Sequence, residues 1–218
     1  MVSVAANVAM FREMKSAYRD ELAVRLNPIR WGQVFNNGER QERMFFGDSR
    51  IAMWPNLGKQ ENFGISNETT AQMIHRFGLD LALAKPRRVI IQAGINDLKA
   101  IGVMPERAKE ITTATKTNIS RMVDHAVASD AKVTVLTIFP TSHVPLWQRL
   151  FWSDGIETAR LEVNKSLKSL RSKSVAIIDC DPILGYRDGR IDDKYALDLL
   201  HLNSAGYEKL NAALKIAK

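Results

Sequence analysis

The feature that most constrains the fold is a regular alternation of short apolar runs with amphipathic helical stretches, which begins near residue 42 and continues to the C-terminus. The clearest run is Arg88-Val89-Ile90-Ile91-Gln92-Ala93-Gly94, a β-branched segment typical of a central strand that is buried on both faces. Comparable runs lie at residues 44–46, 62–66, 132–139 and 174–180. Strands that alternate with helices favour a parallel sheet covered on both faces. The sequence therefore predicts an α/β fold, a three-layer α/β/α sandwich with a mainly parallel sheet.

A further amphipathic helix is predicted before this alternation, over residues 8–26. Its apolar side chains recur at helical spacing and include Phe11, Met14, Tyr18 and Leu22. We expect residues 1–41 to form this helix and a connecting loop, and residues 42–218 to form one domain. The helix would pack on that domain or on a partner, so homo-oligomerisation or partner docking through it stays open.

The composition excludes several classes of protein. At 218 residues and 45% hydrophobic content the chain can bury one substantial core. It lacks an apolar run of about 18 residues, which excludes an integral membrane segment. The net charge is +7, but the basic residues are scattered and match no nucleic-acid-binding motif, so no nucleic-acid partner is expected. The single cysteine, Cys180, excludes a disulfide framework and a cysteine-rich metal site.

The first ten residues are small and apolar, but they lack the basic leader and the long hydrophobic segment of a signal peptide. The sequence predicts a soluble protein and leaves its compartment open. It is either cytoplasmic or exported with the signal peptide absent from this chain.

Three candidate functional residues follow the ends of predicted strands, namely Ser49, Gly64 and Asn96. Right-handed crossovers place the carboxyl ends of parallel strands on one edge of the sheet, where ligands bind in such folds. We therefore expect the three residues to converge. Taken alone, Ser49 is better explained as a helix N-cap after a strand.

Acyl transfer through a serine needs a base, a group that orients the base, and donors for the developing oxyanion. Asp198 and His201 lie in the loop predicted before the last helix, where their three-residue spacing lets the carboxylate fix the imidazole tautomer. The backbone N–H groups of Ser49 and Gly64 and the side-chain amide of Asn96 are candidate oxyanion donors.

Four blocks occur in order along the chain: Gly47-Asp48-Ser49, Asn62-Phe63-Gly64-Ile65, Gly94-Ile95-Asn96-Asp97 and Asp198-Leu199-Leu200-His201. Together they resemble the SGNH (GDSL-type) hydrolases, over residues 42–214. The resemblance implies a flavodoxin-like sheet and hydrolysis of an ester or thioester without a metal ion or cofactor. It implies Ser49 as nucleophile, His201 as base and Asp198 as the orienting group, with Ser49, Gly64 and Asn96 as oxyanion donors.

Residues 62–70 and 198–207 are most similar to the branch of that family containing platelet-activating-factor acetylhydrolase-like esterases and bacterial carbohydrate acetylesterases. The chain departs from many relatives at Ser66-Asn67, where they carry a glycine-rich turn. The expected substrate is a small-molecule or carbohydrate ester with a short acyl group such as acetyl. The alternatives are a lysophospholipase or thioesterase, an acyltransferase, and a noncatalytic binding module that keeps the fold.

Four aromatic residues are candidates for a wall of the substrate site, namely Trp54, Phe63, Trp147 and Trp152. Two of them belong to the aromatic connection 144–152, and the other two lie near the motif blocks. Such a wall would contact a sugar ring or an acyl chain. An equally simple interpretation is that these rings cover the edge of the sheet.

Overall fold

The computed structural model describes residues 4–26, 41–57 and 61–216. All the described strands belong to one parallel sheet with the order β2-β1-β3-β4-β5. The strands coincide with the five predicted apolar runs and are β1 (Arg43–Gly47), β2 (Asn62–Gly64), β3 (Arg88–Gln92), β4 (Lys132–Leu136) and β5 (Val175–Ile178).

Helices follow the strands, as the alternation predicts. In the described ranges the α-helices are α1 (Val4–Leu26), α2 (Ser49–Ala52), α3 (Thr70–Ala84), α4 (Ile95–Leu98), α5 (Ala108–Ala128), α6 (Asp154–Ser169), α7 (Cys180–Ile183) and α8 (Ser204–Leu214). Short 3₁₀ turns lie at Lys99–Gly102, Pro105–Arg107, Leu146–Gln148 and Asp193–Tyr195. Among the helices of these ranges, none has the length and apolarity to cross a lipid bilayer.

Alternate residues of each strand point to opposite faces of the sheet, and each face has its own apolar cluster. On one face Met44, Phe46 and Ile91 pack with residues of α1, α3, α5 and α6. On the other face Phe45 and Ile90 pack with residues of α2, α7 and α8. Burial on both sides explains why the strands are continuously apolar. This arrangement confirms the predicted three-layer α/β/α fold.

Strand β3 ends at Gln92, two residues before the end of the apolar run that predicted it. The backbone of Gly94 has a φ of 118°, a left-handed conformation that side-chain-bearing residues rarely adopt, and this turns the chain into α4. The polar residues after the run are thereby placed at the carboxyl edge of the sheet.

Helix α1 packs on the domain along one face. Leu22 is buried in the cluster beneath α3 and α5, and the rings of Phe11 and Tyr18 each lie 5.7 Å from the ring of Phe151 between centroids. Met14, on the same helix, stays about half exposed. The predicted N-terminal helix is present and begins earlier than predicted, whereas most of the predicted connecting loop, residues 27–40, lies outside the described residues.

Candidate active site

Ser49 is the first residue of α2, directly beyond the carboxyl end of β1. The preceding residue, Asp48, caps this helix, and its Oδ1 accepts the N–H of Arg50 at 2.9 Å. Because Ser49 lies in the first turn, its own N–H has no intrahelical partner, and no described residue accepts it. A hydroxyl and an amide donor therefore lie side by side at the edge of the sheet.

His201 lies beside Ser49, in the loop before α8. Its Nε2 is 2.9 Å from Ser49 Oγ, and its Nδ1 is 2.8 Å and 3.0 Å from the two carboxylate oxygens of Asp198. In the tautomer that carries its proton on Nδ1, the ring donates to the carboxylate, and Nε2 accepts from the serine hydroxyl. The structure thus brings together the three residues that the sequence predicted as a hydroxyl, a base and an orienting carboxylate.

The carboxylate of Asp198 is held by the backbone as well as by the imidazole. Its Oδ1 accepts the N–H groups of Leu200 and His201, both at 2.8 Å. Partial burial acts to raise the pKa of the Asp198 carboxyl, but the hydrogen bonds from His201 and from these two amides hold it below its ordinary value. The group is therefore charged at neutral pH and able to stabilise an imidazolium.

Arg50 joins the helix of Ser49 to the loop of His201. Its buried guanidinium donates from Nε to the carbonyl oxygen of Leu200 at 2.9 Å and from Nη1 to that of Phe139 at 3.2 Å. Burial lowers the pKa of Arg50 to about 10, so that it keeps its charge at neutral pH. Arg50 was not predicted as a site residue. The available signal was a charged residue in an apolar strand-to-helix turn, directly after the serine.

Asn96 lies in α4, after the strand that pairs with β1. Its side chain is 3% exposed, and Nδ2 donates to the carbonyl oxygen of Glu68 at 3.0 Å. A primary amide has two N–H groups, so one remains for a ligand. The next residue, Asp97, accepts the hydroxyl of Thr70 at 2.6 Å and so fixes α4 to the start of α3.

The structure contradicts the prediction that Gly64 offers a free backbone donor. Its N–H donates to Oδ1 of Asn62 at 3.0 Å. A Cβ on Gly64 would stand 2.1 Å from the backbone nitrogen of Ala52, so glycine is required here because β2 passes directly against α2. Its role is in packing.

The turn after β2 presents a different amide. The N–H of Glu68 donates to the carbonyl oxygen of Ile65 at 3.3 Å, and Asn67, inside this turn, has a φ of 64°. No acceptor for the Asn67 N–H lies within the described part of the chain. Asn67 was not predicted as a site residue, although asparagine is one of the few residues that favour this left-handed conformation.

A buried ion cluster holds that turn against α3. Arg76, which is 5% exposed, donates to both carboxylate oxygens of Glu68 at 2.6–3.0 Å and to Asp80 at 2.6 Å. It also donates to the carbonyl oxygen of Phe63 at 2.9 Å. The cluster therefore supports Glu68, whose carbonyl oxygen in turn binds Asn96.

The aromatic residues predicted to contact substrate have different positions. Trp54 and Phe63 are each 3% exposed, and Trp54 packs against Phe45 and Tyr207 while its Nε1 donates to Asn211. Both belong to the core, which contradicts their prediction as substrate contacts. Trp152 is half-buried and lines two cavities, whereas the side chain of Trp147 lies outside the described residues.

The two cavities adjoin the loop of His201 and differ in character. The first, of about 360 Å³, is mainly apolar and includes Met14, Tyr18, Phe151, Trp152, Leu199 and Leu200 in its lining. The second, of about 440 Å³, is lined mainly by polar and charged side chains and includes Ser142, His143, Arg149, Trp152, Glu157 and Arg190. The loop of His201 lines the first cavity through Leu199 and Leu200. It contacts one lining residue of the second, since Ser142 N–H donates to the carbonyl oxygen of Leu199 at 2.9 Å.

The sequence matches the model of the GDSL-like lipase/acylhydrolase family over residues 33–209. The chain belongs to this family. The matched span contains Ser49, Asn96, Asp198 and His201, so the site described above lies within the GDSL-like domain. Membership supports an ester hydrolase and confirms the resemblance found in the sequence.

Several solved structures share the fold at low sequence identity. A GDSL-like lipase from Bacteroides thetaiotaomicron is 22% identical, with a TM-score of 0.62 over 92% of this chain and 95% of its own. A carbohydrate esterase family 3 protein from Talaromyces cellulolyticus is 19% identical, with a TM-score of 0.55 over 80% and 94%. An acetylxylan esterase from Geobacillus stearothermophilus is 16% identical, with a TM-score of 0.54 over 81% and 94%. No curated protein matches the sequence.

Proposed function

We propose that this GDSL-family protein hydrolyses carboxylic esters through a covalent acyl-enzyme on Ser49. The observation that carries the proposal is the continuous hydrogen-bonded line from Ser49 through His201 to Asp198. A general base must lie within about 3.2 Å of the group it deprotonates. The 2.9 Å between His201 Nε2 and Ser49 Oγ satisfies this requirement before any substrate is bound.

In the proposed mechanism His201 accepts the hydroxyl proton while Ser49 Oγ attacks the ester carbonyl carbon. The carbonyl oxygen becomes an oxyanion, and the charged Asp198 stabilises the imidazolium. The tetrahedral intermediate collapses, His201 returns the proton to the leaving alcohol, and the acyl group remains on Ser49. Water then attacks the acyl-enzyme by the same steps and releases the carboxylic acid.

The proposed oxyanion donors are the backbone N–H groups of Ser49 and Asn67 and the second N–H of the Asn96 amide. Neither backbone amide is used by another described residue. Asn96 is tied to the same turn as Asn67 through the carbonyl oxygen of Glu68. Donors that are fixed before the reaction stabilise developing charge without reorganising, which is the main source of catalysis in such sites.

The polar cavity supports a carbohydrate or similar polyhydroxyl alcohol as one candidate leaving group. Arg149, Arg190, His143 and Glu157 offer hydrogen-bond donors and acceptors there, and Trp152 offers a ring face. With a short acyl group such as acetyl, the substrate would be an acetylated carbohydrate. The apolar cavity supports a second candidate, an ester or thioester with a longer acyl chain.

The test compares wild type with Ser49→Ala on p-nitrophenyl esters from acetate to palmitate. Removal of the nucleophile is expected to lower kcat by at least about 10⁴-fold on every ester. Ser129→Ala is the matched control, because it removes an exposed hydroxyl at the end of α5 and should keep the wild-type rate. A wild-type rate in Ser49→Ala would exclude the proposed acyl-enzyme.

A further inference from the structure

We infer that the apolar cavity beside the loop of His201 binds an aliphatic chain of the ester, and that helix α1 forms one of its walls; this rests on the proposed ester hydrolysis. The cavity has a volume of about 360 Å³. Small-molecule sites in proteins usually measure about 300–1,000 Å³ and combine an apolar lining with a few polar groups. Here the polar groups are Lys99 and Gln148, against six lining residues with apolar or aromatic side chains.

One wall of the cavity is fixed to the catalytic residues. Leu199 and Leu200 line it and directly precede His201. The N–H of Leu200 donates to Asp198 at 2.8 Å, while its carbonyl oxygen accepts from Arg50 at 2.9 Å. The apolar lining therefore includes the residue directly before the proposed base, whose Nε2 is 2.9 Å from Ser49 Oγ.

Another wall comes from α1. Tyr18 lines the cavity and contacts the ring of Phe151, and the buried Leu22 fixes the helix one turn later. Met14 lies one turn before Tyr18, lines the cavity, and is 54% exposed. A methionine side chain is flexible and polarisable, and it adapts to apolar ligands of irregular shape.

The family match begins at residue 33, whereas α1 covers Val4–Leu26. This wall therefore lies outside the matched GDSL-like span of the chain. A wall outside the catalytic domain alters the preference for substrates without altering the groups that perform the reaction. Helix α1 is therefore in a position to control the selectivity for the length of the aliphatic chain of the ester.

An aliphatic chain can belong to the acyl group or to the alcohol, and the experiment has one arm for each. The first arm varies the acyl group in p-nitrophenyl esters from acetate to octanoate. The second arm varies the alcohol in acetate esters from methyl to octyl. Burial of each added methylene in the cavity is expected to raise kcat/KM in one arm only.

The decisive variant is Met14→Trp, which fills the cavity from α1. In the arm that shows chain-length dependence, Met14→Trp is expected to lower kcat/KM for the eight-carbon substrate by at least about 10-fold. Loss of the apolar contacts of even one methylene in a pocket changes kcat/KM by about this factor. The rate on the shortest ester should stay within about 2-fold of wild type. Met10→Trp is the matched control, because Met10 is 57% exposed on the same helix and does not line the cavity.

A binding measurement separates this inference from the proposed hydrolysis. Octanoate and octanol are titrated calorimetrically into Ser49→Ala, and into the same protein carrying Met14→Trp or Met10→Trp. If no ester is hydrolysed but one of these ligands binds and only Met14→Trp abolishes binding, the cavity is confirmed and the proposed function is wrong. If Met14→Trp lowers kcat/KM equally for short and long esters, or changes neither hydrolysis nor the binding of octanoate and octanol, the cavity does not bind the chain.

Discussion

At the level of single residues, the proposed oxyanion site depends most directly on Asn96. One N–H of its buried amide binds the carbonyl oxygen of Glu68, which fixes the side chain and leaves the other N–H for the substrate. We expect Asn96→Ala to lower kcat by about 100- to 1,000-fold, equivalent to about 3 kcal/mol. KM should change little, because the lost bond strengthens only as charge develops in the transition state. Steady-state kinetics on a p-nitrophenyl ester measure both constants.

The control for this variant is Asn118→Ala. That amide donates to Thr70 Oγ1 at 3.1 Å and has no part in the proposed oxyanion site. Its kcat should stay close to wild type. An Asn96→Ala enzyme with an unchanged kcat would remove Asn96 from the proposed donors.

The site residues that could be predicted are those whose position follows from sheet geometry. Ser49 and Asn96 follow adjacent parallel strands and therefore lie at the same edge of the sheet. The loop before the last helix brings His201 to that edge. The failure at Gly64 has a local cause, because a sequence does not show that a neighbouring side chain already accepts its N–H. The prediction that Trp54 contacts substrate failed for a related reason, since proximity to a motif in the sequence does not show which face of the sheet a ring covers.

At the level of secondary structure elements, α3 and the turn before it are joined by the ion cluster of Arg76, Glu68 and Asp80. Arg76→Met keeps much of the side-chain volume but removes the cation that pairs with the buried carboxylates of Glu68 and Asp80. We expect a loss of about 3–5 kcal/mol in the free energy of unfolding, because an uncompensated buried charge is strongly destabilising. Urea denaturation at neutral pH measures this loss.

Arg107→Met is the matched control for Arg76→Met. Arg107 forms an ion pair with Glu110 one helical turn away, and this pair lies at the surface. Pairs of this kind contribute about 0.3–0.5 kcal/mol. Equal destabilisation by the two variants would show that the buried cluster has no special role.

Elements were predictable where they are long or continuously apolar. The strands are apolar runs, and the helices α3, α5, α6 and α8 have a clear hydrophobic period in the sequence. The helices α4 and α7 were not predicted, because a single turn of four residues is too short to show a period. Their positions are set by the backbone that leaves the sheet, as at Gly94, and by tertiary hydrogen bonds such as that from Cys180 N–H to Thr137 Oγ1.

At the level of the whole molecule, the sheet brings together groups that are far apart in the sequence. Ser49 and His201 are separated by 152 positions and meet at one edge. The division into an N-terminal part of residues 1–41 and a domain of residues 42–218 remains a proposal. Helix α1 is packed on the domain through Leu22, and Gln41 N–H already donates to the carbonyl oxygen of Ala84 at 3.0 Å.

The global stability should depend on pH through Asp97, a residue of α4 whose carboxylate accepts hydrogen bonds from Thr70 at the start of α3. Burial raises the pKa of Asp97 to about 7, although hydrogen bonds from Thr70 oppose this shift. In the unfolded chain an aspartate titrates near about 3.9. Between these two values the folded state keeps a proton that the unfolded state has lost, so the free energy of unfolding falls as pH rises. Below this interval the contribution of Asp97 is fully present, and above about pH 7 it no longer changes.

Asp97→Asn removes this titration and keeps an oxygen that can accept from Thr70. We expect the unfolding free energy of wild type, relative to Asp97→Asn, to decrease between about pH 4 and 7, by at most about 1.4 kcal/mol per pH unit, and then to level off. Urea denaturation in steps of half a pH unit measures the difference. Asp124→Asn, which also replaces one aspartate by asparagine but at an exposed position of α5, is the matched control. A constant difference between wild type and Asp97→Asn from pH 4 to 8 would show that Asp97 has the same pKa in the folded and unfolded states.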